Sequence, residues 1–146
     1  MSSQYNAAEI GNAVYNGTEL DKIVYNGTEV FTKKTLVKKT VKFSKSNTMG
    51  EAAPYKKTIW TNNTGYTVTA DITLKINDVK DDSIHNNTQA TVYIGTTKIG
   101  TVVVDTPPKS KTFKNKSIPN GKSVIAQDNY NSLYTCSGSG YYYVYE

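Results

Sequence analysis

The stretch Tyr66-Thr67-Val68-Thr69-Ala70-Asp71-Ile72-Thr73-Leu74-Lys75-Ile76-Asn77 alternates apolar and polar residues without a break. Tyr66, Val68, Ala70, Ile72, Leu74 and Ile76 fall on one side of an extended chain. Thr67, Thr69, Asp71, Thr73, Lys75 and Asn77 fall on the other. Period two is the strand period, so the stretch predicts a long strand with one face in a core and one in water. A helix would need its apolar residues three and four apart. No window of a dozen residues sustains that spacing.

Outward from this strand the same grammar continues. Residues 33–43 alternate β-branched residues with lysine, and Tyr55 to Trp60 reads as a short strand ended by Asn62-Asn63-Thr64-Gly65. Ala90 to Gly95 and Lys98 to Asp105 predict a hairpin around Thr96-Thr97. Pro107-Pro108 then stops pairing. Residues 111–118 and 122–127 flank the turn signal Pro119-Asn120-Gly121. Leu133 to Cys136 predicts a strand, Ser137-Gly138-Ser139-Gly140 a flexible break, and Tyr141 to Tyr145 a last strand, apolar on both faces and so expected to be buried on both, within the fold or against a neighbour. Residues 44–54, 78–88 and 129–132 read as loops and turns. Roughly nine or ten short strands, spaced every eight to twelve residues, predict an all-β antiparallel sandwich, jelly-roll-like or immunoglobulin-like. Strand order does not follow from spacing.

The composition agrees. In 146 residues there are 20 Thr, 14 Asn, 12 Tyr and 11 Ser. Thr and Tyr favour strands, and Asn favours turns. A helical bundle, a disulfide scaffold and a membrane span are all disfavoured: Cys136 is the lone cysteine, and no stretch approaches the ~20 apolar residues of a spanning helix. The N-terminus, Met1-Ser2-Ser3-Gln4-Tyr5-Asn6, has neither the basic start nor the apolar run of a signal peptide. The five Asn-x-Ser/Thr sequons, at Asn16, Asn26, Asn62, Asn86 and Asn115, then read as a by-product of Asn- and Thr-rich turns and strands.

The net charge of +5 is carried by lysine alone, with no arginine. Between Glu29 and Glu51 lie six lysines and no acid, and between Asp105 and Asp128 five lysines and no acid. Such stripes can bind phosphates by counterion release, but lysine also blunts exposed strand edges. Without arginine there is no bidentate contact to guanine and no planar stacking cation. Solvated, protected edges and faces are the favoured reading, ahead of an acidic partner surface, and nucleic acid is the disfavoured one.

No catalytic set stands out. His85, in a polar loop, and Cys136 have no evident partners for nucleophilic or acid–base work, so a non-enzymatic role is expected. Asn77, Asp78, Asp81 and Asp82 gather oxygen ligands but depart from the EF-hand pattern. No cofactor and no metal is expected. Trp60, Tyr141, Tyr143 and Tyr145 form the candidate platform for a glycan or for a neighbouring subunit, since ring faces stack on sugars and Tyr is enriched at interfaces.

Ahead of residue 33 lies an internal repeat. Val14-Tyr15-Asn16-Gly17-Thr18-Glu19 recurs identically as Val24-Tyr25-Asn26-Gly27-Thr28-Glu29. Asn-Gly between strand formers is the strongest short hairpin signal. Two such turns predict a three-stranded meander over 13–15, 18–25 and 28–32, with Leu20, Ile23, Val24, Val30 and Phe31 on its apolar side. So small a ribbon is not stable alone. The chain therefore reads as an N-terminal arm and docking ribbon, 1–32, followed by a sandwich domain, 33–146.

The segment Ala13 to Phe31 resembles a ribbon that recurs in structural proteins of tailed bacteriophages of Gram-positive bacteria, among them minor tail, baseplate and fibre-like proteins. The match spans about 19 residues. The resemblance implies a virion location, a structural role at the tail, baseplate, neck or capsid surface, and no cofactor. Its expected partners are other virion proteins and further copies of the same chain. The docking residues expected are Tyr15, Asn16, Gly17, Tyr25, Asn26, Gly27, Val30 and Phe31. The alternative is a carbohydrate- or host-receptor-binding module acting on a cell-surface glycan.

Overall fold

The computed structural model describes residues 13–47, 55–79, 88–104, 107–129 and 132–146. The expected arm at 1–12, His85, Asp81, Asp82, Asn86 and Tyr130, and most of the loops expected at 44–54 and 78–88, lie outside the described residues. All regular elements among the described residues are strands: β1 (Ala13–Tyr15), β2 (Thr18–Leu20), β3 (Lys22–Tyr25), β4 (Thr28–Thr32), β5 (Leu36–Ser46), β6 (Tyr55–Thr61), β7 (Val68–Val79), β8 (Thr88–Ile94), β9 (Thr97–Val104), β10 (Lys109–Ile118), β11 (Ser123–Asp128) and β12 (Ser132–Tyr145). They fall into two compact units, one up to Val37 with Val144–Glu146, the other Lys38–Tyr143.

The larger unit is built from two four-stranded antiparallel sheets, ordered β10-β7-β12-β5 and β6-β11-β8-β9. The neighbours β8–β9, β7–β10, β6–β11 and β5–β12 are the rungs of one long hairpin, with β5 to β8 running out and β9 to β12 returning. Successive rungs alternate between the sheets, which is the double Greek key of a jelly roll. The immunoglobulin-like option is thereby excluded.

β7 is the middle of this construction. Val68, Ala70, Ile72, Leu74 and Ile76 are at most 2% exposed, and Asp71 and Lys75 on the other face are open to solvent. The apolar face joins Ala90, Val92, Val102, Val104, Val124 and Ala126 of the second sheet in one core. Each fully buried Val, Ile or Leu contributes about 1.5–3 kcal/mol through area removed from water. The alternation at 66–77 departs from expectation at its first member. Tyr66 precedes the strand and is 47% exposed, with its ring stacked on Tyr142 at 5.5 Å.

Two further expectations are corrected and a third is narrowed. The break at Ser137-Gly138-Ser139-Gly140 is absent: β12 runs unbroken for 14 residues. A Cβ on Gly138 would stand 2.1 Å from the Phe43 ring, and one on Gly140 2.6 Å from the Thr69 carbonyl oxygen. These glycines make room for neighbours, and the sheet continues over them. The strand expected at 33–43 starts later, at Leu36, because the Lys33 amide is taken by the Asp21 carbonyl at 2.6 Å. The last strand is not buried on both faces within the fold, which leaves the other half of the expectation, burial against a neighbour: Val144 is buried, whereas Tyr143 and Tyr145 are about half exposed.

Eight of the eleven lysines of the two acid-free stretches lie on the two edge strands of one sheet. β5 carries Lys38, Lys39, Lys42 and Lys45, and β10 carries Lys109, Lys111, Lys114 and Lys116. β10 also holds a bulge between Phe113 and Lys116, with Asn115 at φ 52°. Charge and bulge together discourage edge-to-edge pairing.

Two buried asparagines tie off loose ends. Asn62 is fully buried and donates from Nδ2 to the carbonyls of Tyr66 and Ile118, both at 2.8 Å, while Oδ1 accepts from the amide and hydroxyl of Thr64. Its amide nitrogen is thus engaged inside the protein, in keeping with reading this sequon as no glycan site. Asn47 extends the pairing of β5 with β12 by its side chain, donating to the Ser132 carbonyl at 2.6 Å and accepting from the Tyr134 amide at 2.7 Å.

Candidate docking site

The repeat at 14–29 folds as two hairpins, not as the expected three-stranded meander. β1 pairs with β2, and β3 with β4, in separate two-stranded sheets. The central strand expected at 18–25 is interrupted at Asp21, whose carbonyl binds the Lys33 amide. Both turns have positive φ at both central residues: 48° and 78° at Asn16-Gly17, 50° and 76° at Asn26-Gly27. That is the type I′ requirement, met by Asn at low cost and by Gly at almost none.

The register of β3 and β4 shifts between Ile23 and Val24, where Ile23 opposes Phe31 and Val24 opposes Glu29. Val30 is the extra residue and is 59% exposed. The single apolar side expected for the ribbon is therefore split. Ile23 and Phe31 are half-buried partners, while Val24 and Val30 lie open to solvent. Of the expected docking residues, Tyr15, Asn16, Gly17, Tyr25, Asn26, Gly27 and Val30 are exposed, and Phe31 is held within its hairpin. Val24, 49% exposed, belongs with them. It follows half-buried Ile23 in β3, and successive residues of a strand point to opposite faces.

Ion pairs brace the two hairpins. Lys33 donates to Glu19 at 2.6 Å, and Lys22 lies 3.3 Å from Glu29. The Lys33 hydrogen bond and charge lower the Glu19 pKa, and Glu19 in turn raises that of Lys33. Glu29 is lowered chiefly by the hydroxyl of Thr32 and then by Lys22. The charged members are solvent-exposed, so the pairs orient side chains more than they stabilise.

The candidate aromatic platform is not one surface. Trp60 stacks on Phe43 at 4.9 Å with the rings 3° from parallel and belongs to the margin of the core. Tyr141 and Tyr143 meet edge-on at 5.7 Å, with Lys38 Nζ 4.1 Å from the Tyr141 ring centre. Beside them lies a feature that sequence reasoning missed. A trough of about 610 Å³ on the outer face of the β10-β7-β12-β5 sheet is lined by Lys42, Asp71, Thr73, Thr112, Ser137 and Ser139, among others. An adjoining hollow of about 260 Å³ shares Asp71 and Ser139 and reaches Lys38 and Tyr141. The outward half of the β7 alternation signals it, but only once β5, β10 and β12 are known to be β7's sheet companions.

Cys136 is fully buried, and burial pushes its thiol up to about 12. It stays protonated at neutral pH, which removes its nucleophilic form.

No family model matches the chain, and no curated protein matches it. Among solved structures, it is similar to a chain of the acid-stable capsid of Helicobacter pylori bacteriophage KHP30, with TM-score 0.55 and 14% identity over 77% of this chain and 98% of that one. Weaker likenesses are to Bacillus endospore appendages, a family of disulfide-linked pili (TM-score 0.42, 19% identity, 75% of this chain and 89% of that one), and to the VP2 subviral particle of infectious bursal disease virus (TM-score 0.37, 13% identity, 87% and 38%). At these identities the first likeness establishes a shared fold, and the other two carry no argument.

Proposed function

We propose that this chain is a non-enzymatic structural protein of a bacteriophage virion, docked on the particle through its N-terminal ribbon as an accessory of the tail, baseplate or neck or as a decoration of the capsid. The observation that carries the reading is the ribbon's exposed apolar set. Tyr15, Val24, Tyr25 and Val30 are 49–69% exposed on two hairpins too small to hold a core of their own. Side chains of this kind anchor protein interfaces. The jelly-roll fold shared with a phage capsid chain supports the reading by analogy only. Its partners are other virion proteins and further copies of this chain, and its location is the virion.

Particles assembled with a chain lacking residues 1–31 test the proposal. The copy number per particle, measured by quantitative mass spectrometry, should drop to background. An unchanged copy number refutes ribbon docking.

A second reading, binding of a cell-surface glycan, is favoured by the hydroxyl-lined trough around Asp71 with Tyr141 at its margin. Sugars are held by such mixtures of donors, acceptors and ring faces. A glycan array probed with the full chain decides it. Absence of binding at millimolar sugar rejects this reading, and loss of array signal in Asp71→Ala locates the site.

A further inference from the structure

The two ribbon turns are duplicates in geometry as well as in sequence. Tyr15 opposes Thr18 as Tyr25 opposes Thr28, and Val14 opposes Glu19 as Val24 opposes Glu29. Their φ angles agree within 2°. Each glutamate holds one lysine. Tyr15 and Tyr25, at 68% and 69%, are the most exposed large hydrophobic side chains among the described residues. The likeness ends just beyond the repeat, where hairpin two carries the Val30 bulge and hairpin one has none. A repeat kept for packing would bury its aromatic residues. Here the duplicated aromatic is the part presented to solvent.

We propose that the ribbon is a bivalent docking element. Its two Tyr-Asn-Gly tips seat in two copies of the same pocket, on a partner surface made of repeated copies of one protein. This rests on the docking reading above and adds the partner's nature: each pocket takes a phenol ring against apolar walls, with a polar group for the hydroxyl. Tyr15 and Tyr25 are ten residues apart in sequence, so their backbones lie within about 35 Å of each other and the two pockets belong to neighbouring copies. A short tether makes the second contact intramolecular, at millimolar effective concentration, and raises overall affinity about 10²–10⁴-fold over one tip.

The probe is the particle made by a phage deleted for this gene, to which purified full-length chain is added back and binding measured by co-sedimentation. Tyr15→Ala and Tyr25→Ala should each weaken binding by about 10²-fold or more and match each other within about threefold, and the double variant should not bind. Inserting Gly-Ser-Gly-Ser after Asp21 leaves both hairpins intact and should weaken binding toward the single-variant level, because it changes the spacing. Circular dichroism and melting of every variant should match the parent, since both tyrosines are exposed. If one single variant abolishes binding while the other binds like the parent, bivalency is overturned and ribbon docking survives. If the double variant binds like the parent, both are overturned.

Discussion

β7 and the β3–β4 hairpin are made of the same kinds of residue and use them to opposite ends. In β7 every second side chain is apolar, and all five from Val68 to Ile76 are buried. In β3–β4 the apolar residues Ile23, Val24, Val30 and Phe31 are divided by a bulge, and two of the four face solvent. The difference is one of company. β7 has a hydrogen-bonded strand on each side and a second sheet across the core. Each strand of the hairpin has one partner, in a sheet of two strands among the described residues. A strand's alternation thus states which face could be buried, and the neighbours decide whether it is.

Substitutions can break that contrast, and the largest effect belongs to the core. Ile72→Ala removes a fully buried side chain between two sheets and should cost about 4 kcal/mol in urea unfolding. A result under 1 kcal/mol would mean that the core is far looser than its burial implies. Next is alkaline pH. The Cys136 thiol is raised by burial from 9.0 to about 12, so its contribution is fully present below pH 9 and is lost as pH rises toward 12. Stability should fall by roughly 2–3 kcal/mol by pH 11 from this group, and Cys136→Ala should lack that slope. The same thiol should resist aromatic disulfide reagents until denaturant is added. Asn62→Ala strands the carbonyls of Tyr66 and Ile118 and should cost about 2 kcal/mol, read as a shift in the unfolding midpoint. Val30→Ser in the ribbon should move stability by less than about 0.5 kcal/mol while weakening particle binding, which sharpens the contrast between burial and display. Smallest is Lys33→Met. Glu19 is held below the ordinary carboxylate range by Lys33, so the pair helps above that range and fades as pH falls through it, but at an exposed site the melting temperature should not move measurably.

How much of this was legible in sequence follows from how local each cause is. The Asn-Gly turns were readable because the φ requirement acts on two adjacent residues. β7 was readable because period two is written along the strand. The lysine stretches were readable as edges for a similar reason: lysine recurring along a strand with no acid between announces a strand that wants no further neighbour. The order β10-β7-β12-β5 was not readable, since it joins residues up to about 100 positions apart through contacts no short window contains. Gly138 was misread because a glycine that bends a chain and a glycine that clears space for a ring are spelled alike. Of the proposed docking residues, the two tips were legible. The withdrawal of Phe31 was not, because it depends on a one-residue slip in pairing.

The glycines under the rings bind two pairs of positions to a shared history. A Cβ at Gly138 would meet Phe43, and one at Gly100 would meet Phe113, each at 2.1 Å. Neither partner can drift alone. An enlarged residue at 138 is tolerable only beside a smaller one at 43, and a shrunken 113 leaves a void that only a larger residue at 100 can fill. As homologous sequences accumulate, 43 with 138 and 100 with 113 should vary in step, while the outward Thr and Ser of the same strands vary independently. The jelly roll's ancestry should therefore be traceable in these couplings long after overall identity has faded.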